Sequence, residues 1–499
     1  MEMAINLDKN DQLPLHQQLY EELRHSILNG RLGAGQRIPS TRTLAKSLGV
    51  SRATVTLSYE QLIGEGYLQA LIGSGTSVST QLPDDLLQAP SVTPVRKTTA
   101  TTSEQLKLSS YGRRVLQLVR QTEEAAPLFN FKYCRPAVDQ FPVAEWRRLL
   151  LRHCRPGQHD LLDYAEDAQG YAPLRQSIAR YLARARAVNC DPDQIVIVNG
   201  SQQALQLCAQ ILINRGDIVA LEDPGYLGAR QAFLTHGARL RPVAVDEEGI
   251  RVAGLPRKQM RLLYVTPSHQ FPTGAVLSLP RRLELLAWAD RSGAFIVEDD
   301  YDSEFRYDAR PIPSLQGLAQ HENVLYVGTF SKVLFPSLRI GYIVLPAALV
   351  DVFERAKWLM DRHTPTLDQR ALADFIDEGY LERHLRRMRR LYDRRRQKLA
   401  AALQTHFGDR VTILGKNSGM HLMIRLRTPW SSKEVIERAA FTGVGLINAG
   451  MYYLKGDPGD EFVLGYAAVS ERKIQEGVKR LARALDIRVI PRRTHKYPN

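Results

Sequence analysis

The sequence predicts an α/β chain in three parts: a small helical N-terminal domain ending in a β-wing, a linker, and a large domain on a mostly parallel sheet. Three observations predict it. Residues 15–63 carry three short apolar stripes at helical spacing. Residues 80–110 lose that period and turn to Thr, Ser and Pro. From about Pro127 onward, short β-branched runs alternate with helical patterns. The expected boundaries are 1–80, 81–125 for the linker, 126–490, and a basic tail at 491–499.

At 499 residues the chain is long enough for two or three domains with full cores. Hydrophobic content of 44% and charged content of 24% are ordinary for a soluble globular protein. No run of eighteen apolar residues and no signal-peptide core occur, so a cytoplasmic protein without membrane contact is expected. Cys134, Cys154, Cys190 and Cys208 lack CxxC spacing and read as reduced thiols; no metal site is expected. The net charge of +14 invites a nucleic-acid partner, but residues 1–80 hold seven Lys/Arg and seven Asp/Glu and are neutral. Much of the excess sits in Arg383–Lys398 and in the tail. Such an arginine-rich helix is either a solvated face or a surface for DNA phosphates.

The first helix follows Pro14, places Leu15, Leu19, Leu23 and Ile27 on one face, and stops before Gly30. Ser40 caps a second helix with Leu44, Ala45 and Leu48 inward, closed by Gly49. Ser51 caps a third, whose inner face is read as Val55, Tyr59, Leu62 and Ile63. Two alternating strands then flank Gly73-Ser74-Gly75. This order, helix, helix-turn-helix, β-wing, resembles the GntR type of winged helix-turn-helix. The carrying pieces are Pro39-Ser40-Thr41-Arg42, Leu48-Gly49-Val50-Ser51-Arg52-Ala53-Thr54-Val55 and Glu65-Gly66-Tyr67-Leu68, and the match runs over 13–79. Ser51, Arg52 and Thr54 then face a major groove, where arginine grips guanine or phosphate. Arg42 adds a second contact, and the wing tip at Gly73 approaches the minor groove.

In the large domain, strands are expected at Ile195–Val198, from Asp217, at Leu262–Val265, from Ala294, and at Val324–Val327. The last ends in Thr329-Phe330-Ser331-Lys332, with Arg339 seven residues on. A pocketed lysine attacks an aldehyde as the free amine, and hydroxyls with an arginine hold a phosphate. An aldehyde that carries a phosphate is pyridoxal 5′-phosphate (PLP).

The order of further motifs resembles the aminotransferases of PLP fold type I over about 127–487. They are Tyr164-Ala165-Glu166, Asn199-Gly200-Ser201-Gln202-Gln203, Asp223-Pro224-Gly225-Tyr226, Pro272-Thr273-Gly274, Glu298-Asp299-Asp300-Tyr301 and the Lys332 segment. The resemblance implies that Lys332 forms the internal Schiff base and Asp299 faces the pyridine nitrogen. It implies that Tyr301 donates to the 3′-oxygen and Tyr226 stacks on the ring. Ser201, Gln202, Thr329 and Arg339 would hold the phosphate, with Tyr164 reaching it from the other subunit of a dimer. Asp300, Asp302 and Glu304 are read as solvated or turn-forming carboxylates and not as a metal cluster.

Two positions depart from the aminotransferase pattern. The usual Asn-Pro is Phe271-Pro272, and Val463 stands where an arginine grips the substrate carboxylate. The two-domain architecture and the His269-Gln270-Phe271-Pro272 turn resemble the MocR family of bacterial transcription regulators. That resemblance implies operator DNA, PLP, an amine or amino-acid effector, and a head-to-tail homodimer. Two other readings stay open: a working transaminase with an appended DNA-binding domain, and a DNA-binding protein whose large domain only dimerises.

Overall fold

The computed structural model describes residues 5–9, 11, 13–71, 75–83, 107–118, 127–133, 135–157, 161, 163–165, 167–256, 259–307, 312–456 and 458–486. The chain divides into two compact units, 1–107 and 108–499.

The first unit is a three-helix core with a two-stranded wing. Helix α1 (Leu15–Leu28) buries Leu19, Leu23 and Ile27. Helix α2 (Thr41–Leu48) starts where the Ser40 hydroxyl accepts the Thr43 amide and ends at Gly49, in the left-handed region at φ 64°. Helix α3 (Arg52–Gly64) is capped by Ser51, which accepts the Thr54 amide at 3.1 Å. Its inner face is Val55, Tyr59 and Leu62, each fully or almost fully buried. Ile63, expected inside, is 36% exposed. Positions 55, 59 and 62 share one stripe, and residue 63 lies a further 100° round the helix. The Ser58 hydroxyl ties α3 to α1 by donating to the His16 carbonyl at 2.6 Å. Each buried Leu or Ile contributes about 1.5–3 kcal/mol by leaving water, and among the described residues Leu32, Ile38, Leu44, Tyr67, Leu68 and Val78 join these side chains in one apolar core. The wing pairs β1 (Leu68–Leu71) antiparallel with β2 (Gly75–Val78), Leu68 opposite Val78. Gly73 and the basic tail lie outside the described residues.

Part of the segment read as linker is ordered structure. Helix α4 (Ser110–Leu116) begins at a Ser109 cap and packs on α8 (Leu227–Thr235) of the large unit. Arg114 donates to the Thr235 carbonyl at 2.8 Å, and Tyr111 meets His236 edge-on. A seven-residue helix capped only by serine gives little periodicity to read, and its partner lies more than a hundred residues away.

The large unit holds eight strands in the order β3 (Ile195–Val198), β10 (Gly341–Val344), β9 (Val324–Thr329), β8 (Phe295–Asp300), β7 (Met260–Val265), β4 (Ile218–Asp223), β5 (Arg239–Asp246), β6 (Gly249–Ile250). β10 and β6 run antiparallel to their neighbours and the rest are parallel. β3, β9 and β10 are buried end to end, and β4, β7 and β8 over most of their residues, as a sheet covered on both faces requires. Two helices over the sheet, α7 (Ser201–Leu212) and α9 (Leu279–Ser292), contribute to separate apolar cores. A second sheet, β11 (Val411–Leu414), β12 (His421–Leu426), β14 (Glu461–Gly465), β13 (Ile447–Asn448), is antiparallel throughout. Two long helices, α12 (Tyr380–Phe407) and α14 (Glu471–Asp486), pack against each other beside it. All the parallel strands point the same way, so the chain leaves β3, β4, β7, β8 and β9 at one edge, where ligands of such sheets bind.

Candidate functional site

Leaving β3, the chain turns at Gly200 (φ 84°) into the first turn of α7, so Ser201 and Gln202 stand at a helix N-terminus. A side chain at residue 200 would stand 2.6 Å from the Arg339 guanidinium, so glycine is required for that approach as well as for the turn. Arg339 itself sits in the left-handed region at φ 52° and donates to the Asn199 carbonyl at 2.8 Å. Thr329 ends β9 opposite Gly341, which adjoins Gly200. Helix amides, Ser201, Thr329 and Arg339 therefore surround one spot suited to a phosphate. Gln203 is spent on structure: it and Asn199 donate to Asp361, which also takes the buried Lys357.

Asp299 lies at the buried end of β8. One oxygen accepts the Tyr264 hydroxyl at 2.7 Å, and the other has no partner. Burial lifts its carboxyl to about 7, opposed by the Tyr264 bond. Lys332 is half-buried just past β9, close enough for its charge to act on Asp299. The Tyr226 ring and the Gln202 amide meet over Gly228, and Tyr226 stands edge-on to Phe271. The unpartnered Asp299 oxygen suits a ring N–H, and the Gly200 cradle suits a phosphate. These residues fit PLP.

Tyr301 is tied back more closely than its motif implies. Its single hydroxyl hydrogen goes to the His269 carbonyl at 2.9 Å, with His269 Nδ1 at 3.0 Å. His269 Nδ1 in turn faces both oxygens of Asp302 at 3.0 Å, and Asp302 accepts the Met420 amide. His421, on β12, stacks obliquely beside His269, its ring centroid 4.7 Å away. Ligand-type atoms of His269, Asp302 and His421 lie within 4.8 Å of one another. Both Asp302 oxygens are already engaged by His269, so the trio is a buttress behind Tyr301. Of the carboxylates at 300, 302 and 304, expected to be solvated or turn-forming, Asp302 and Glu304 do lie in a turn, closed by the Phe305 amide on the Asp302 carbonyl at 3.0 Å, but protein partners hold all three. Asp300 is buried and accepts Arg186 and Tyr326, Asp302 is buried against His269, and Glu304 accepts Tyr181. These partners come from far along the chain, which is why the local sequence does not show them.

Val463 is fully buried opposite Met423, in an apolar cluster with Phe271, Ala449 and Tyr452. Arg425 stands two pairs further along the sheet, with its guanidinium on Glu461 at 2.7 Å. Tyr164 is 78% exposed, edge-on to His363, and is not brought to the other cofactor candidates within this chain. In the first unit, Arg42 and Arg52 are exposed. Ser51 and Thr54 spend their hydroxyls on each other at 2.7 Å in the α3 cap. Among the described residues, Cys154, Cys190 and Cys208 are free thiols.

Known proteins divide the chain at the same place. The family model for bacterial regulatory proteins of the gntR family matches residues 15–78, and that for aminotransferases of class I and II matches 138–481. Over 96% of this chain and 95% of the relative, the sequence is 42% identical to the probable rhizopine catabolism regulatory protein MocR of Rhizobium meliloti. The chain belongs to the MocR family of GntR-type transcription regulators. Another MocR-like relative, 31% identical over 94% of this chain and 96% of its own length, is the pyridoxine biosynthesis transcriptional regulator PdxR of Corynebacterium glutamicum. The large unit is similar to the kynurenine aminotransferase of Pyrococcus horikoshii, with a TM-score of 0.68 and 30% identity, covering 79% of this chain and 98% of that one. MocR proteins thus carry a GntR DNA-binding domain and an aminotransferase-like domain of a PLP-dependent fold family. Among the described residues no helix is long and apolar enough to cross a membrane.

Proposed function

We propose that this MocR-family regulator is a cytoplasmic homodimer that holds PLP on Lys332 and changes its grip on operator DNA when that site fills or reacts. The observation that carries the reading is Asp299, buried with one oxygen unpartnered and within reach of the Lys332 charge, together with Arg339 drawn in to Gly200; Val463, buried among apolar side chains, is read as replacing the carboxylate-binding arginine. When bound, PLP supplies an aldehyde that exchanges amines and a ring that draws electrons from them. Asp299 is the partner of the ring nitrogen, and Tyr226 covers the ring face. The α7 N-terminus, with Ser201, Gln202, Thr329 and Arg339, takes the phosphate. The exposed Tyr164 suits a contact with the partner subunit's phosphate.

The signal in this reading is PLP itself. A buried valine makes no ion pair with an α-carboxylate, and hydrogen bonds to charged groups contribute about 1.5–3 kcal/mol each. Common amino acids therefore bind one to two decades more weakly than with an arginine there. The likeness to a regulator of pyridoxine biosynthesis supports the same choice. The test is an absorbance titration with PLP and then with an amino-acid panel, run beside operator binding. PLP alone is expected to shift both. A single amino acid that shifts both at sub-millimolar concentration, where PLP alone does not, overturns this choice of signal.

A further inference from the structure

The charge of this chain is not where its DNA reader is. The first eighty residues are neutral, seven Lys/Arg against seven Asp/Glu, so that domain adds little long-range attraction for a polyanion. Helix α12 alone carries nine Lys/Arg and two Asp/Glu, seven net positive charges out of +14 for the whole chain. Its inner stripe, Leu381, Leu385, Met388, Tyr392 and Leu399, is buried in the core, which fixes the opposite face outward. On that face Arg383, Arg386, Arg387, Arg390 and Arg394 line a groove of about 420 Å³ with Gln140.

What these arginines already hold separates them. Arg383 caps the Glu378 carbonyl, Arg387 donates to the Gln140 carbonyl, and Arg394 pairs with Glu471 at 3.3 Å. Arg386 and Arg390 are exposed, one turn apart, and have no acidic partner among the described residues. The row from 383 to 394 rises about 16 Å along the helix, about half a turn of duplex. Arg386 and Arg390, one turn apart and without an acidic partner among the described residues, repel each other unless an anion lies beside them, and a backbone phosphate is such an anion.

We infer that the arginine face of α12 is a second DNA-binding surface, taking the phosphate backbone of duplex outside the segment read by the helix-turn-helix and without regard to its sequence. This rests on the reading that the N-terminal domain binds DNA, and the test separates the two.

The probe is a random-sequence duplex of about six helical turns, roughly 60 base pairs, bound by the full-length PLP-loaded protein. Fluorescence anisotropy gives Kd from 50 to 200 mM salt. Each phosphate deprived of its protein cation lowers the slope of log K against log salt by about one. The Arg386→Gln, Arg390→Gln double variant should therefore lose about two, so its affinity change over that fourfold salt range is about 16-fold smaller than wild type. The Arg386→Lys, Arg390→Lys variant keeps the charge and should keep the wild-type slope. An unchanged slope in the Gln variant overturns the inference. So does a Lys variant that behaves like the Gln one, since the residues would then act through folding. Arg42→Ala with Arg52→Ala should instead abolish preference for the regulator's own promoter over random duplex. Failure of that arm counts against the helix-turn-helix reading and leaves the α12 result standing.

Discussion

Replacing Asp299 by Asn tests the cofactor site at its most constrained atom. The carboxylate is buried, Tyr264 occupies one oxygen at 2.7 Å, and the other oxygen has no partner. An ionised oxygen left alone in that place is costly, which is why burial raises the carboxyl to about 7. A ring N–H supplied there makes a charge-assisted bond of about 1.5–3 kcal/mol, so Asp299→Asn should weaken PLP about 10- to 150-fold. The pH dependence has a definite sign. Above about 7 the wild-type carboxylate is already ionised and gains the full bond. Below it a proton must first leave, at about 1.36 kcal/mol per unit, so the gap between wild type and variant narrows towards pH 6. Equilibrium titration of the near-visible absorbance with PLP, at pH 6 and pH 8, measures both. A variant within twofold of wild type at pH 8 would refute the assignment of Asp299 to the ring nitrogen.

Three more outcomes are expected. Lys332→Ala should lose the near-visible band, and borohydride should fix PLP to Lys332 in wild type; peptide mass spectrometry and the absorbance spectrum check these, and a retained band contradicts the role. Arg42→Ala or Arg52→Ala should each weaken operator binding by about 1–3 kcal/mol where the guanidinium grips a base, with the PLP spectrum unchanged. Burial holds His384 down at about 4, its Nε2–H donating to the Val333 carbonyl. The unfolded chain takes up that proton first, so stability should fall between about pH 6.5 and 4, by about 3 kcal/mol at the acid end. His384→Gln should flatten that part of a urea-denaturation series, and an unflattened curve would reassign the acid loss.

Both domains are legible because their signals are local. Ser40, Gly49 and Ser51 mark helix ends by chemistry that acts within one turn, and the structure places each cap where the residues predict. The strand-end motifs are legible for a related reason: a parallel sheet brings every strand terminus to one edge, so order along the chain becomes proximity in space. That order alone places Asp299 and Thr329 at strand ends and Lys332 and Arg339 just past one. What is not legible depends on distant partners. Arg186 reaches Asp300 from 114 residues away, and His421 reaches His269 from another sheet. Helix α4 escapes the sequence because its reason to fold is α8. Ile63 is misplaced by a single position at the edge of a stripe, where one residue moves a side chain by 100°.

The central claim is that filling the Lys332 site changes DNA binding. The direct measurement is operator affinity for three samples: apo protein, the same protein saturated with PLP, and Lys332→Ala given the same PLP. A shift of about 1.4 kcal/mol between two states is tenfold in Kd, and a ligand shifts them only by its differential affinity. The account predicts a change of about tenfold or more between the first two samples, and none for Lys332→Ala. Equal affinity with and without PLP, in protein whose spectrum shows the site filled, would contradict it.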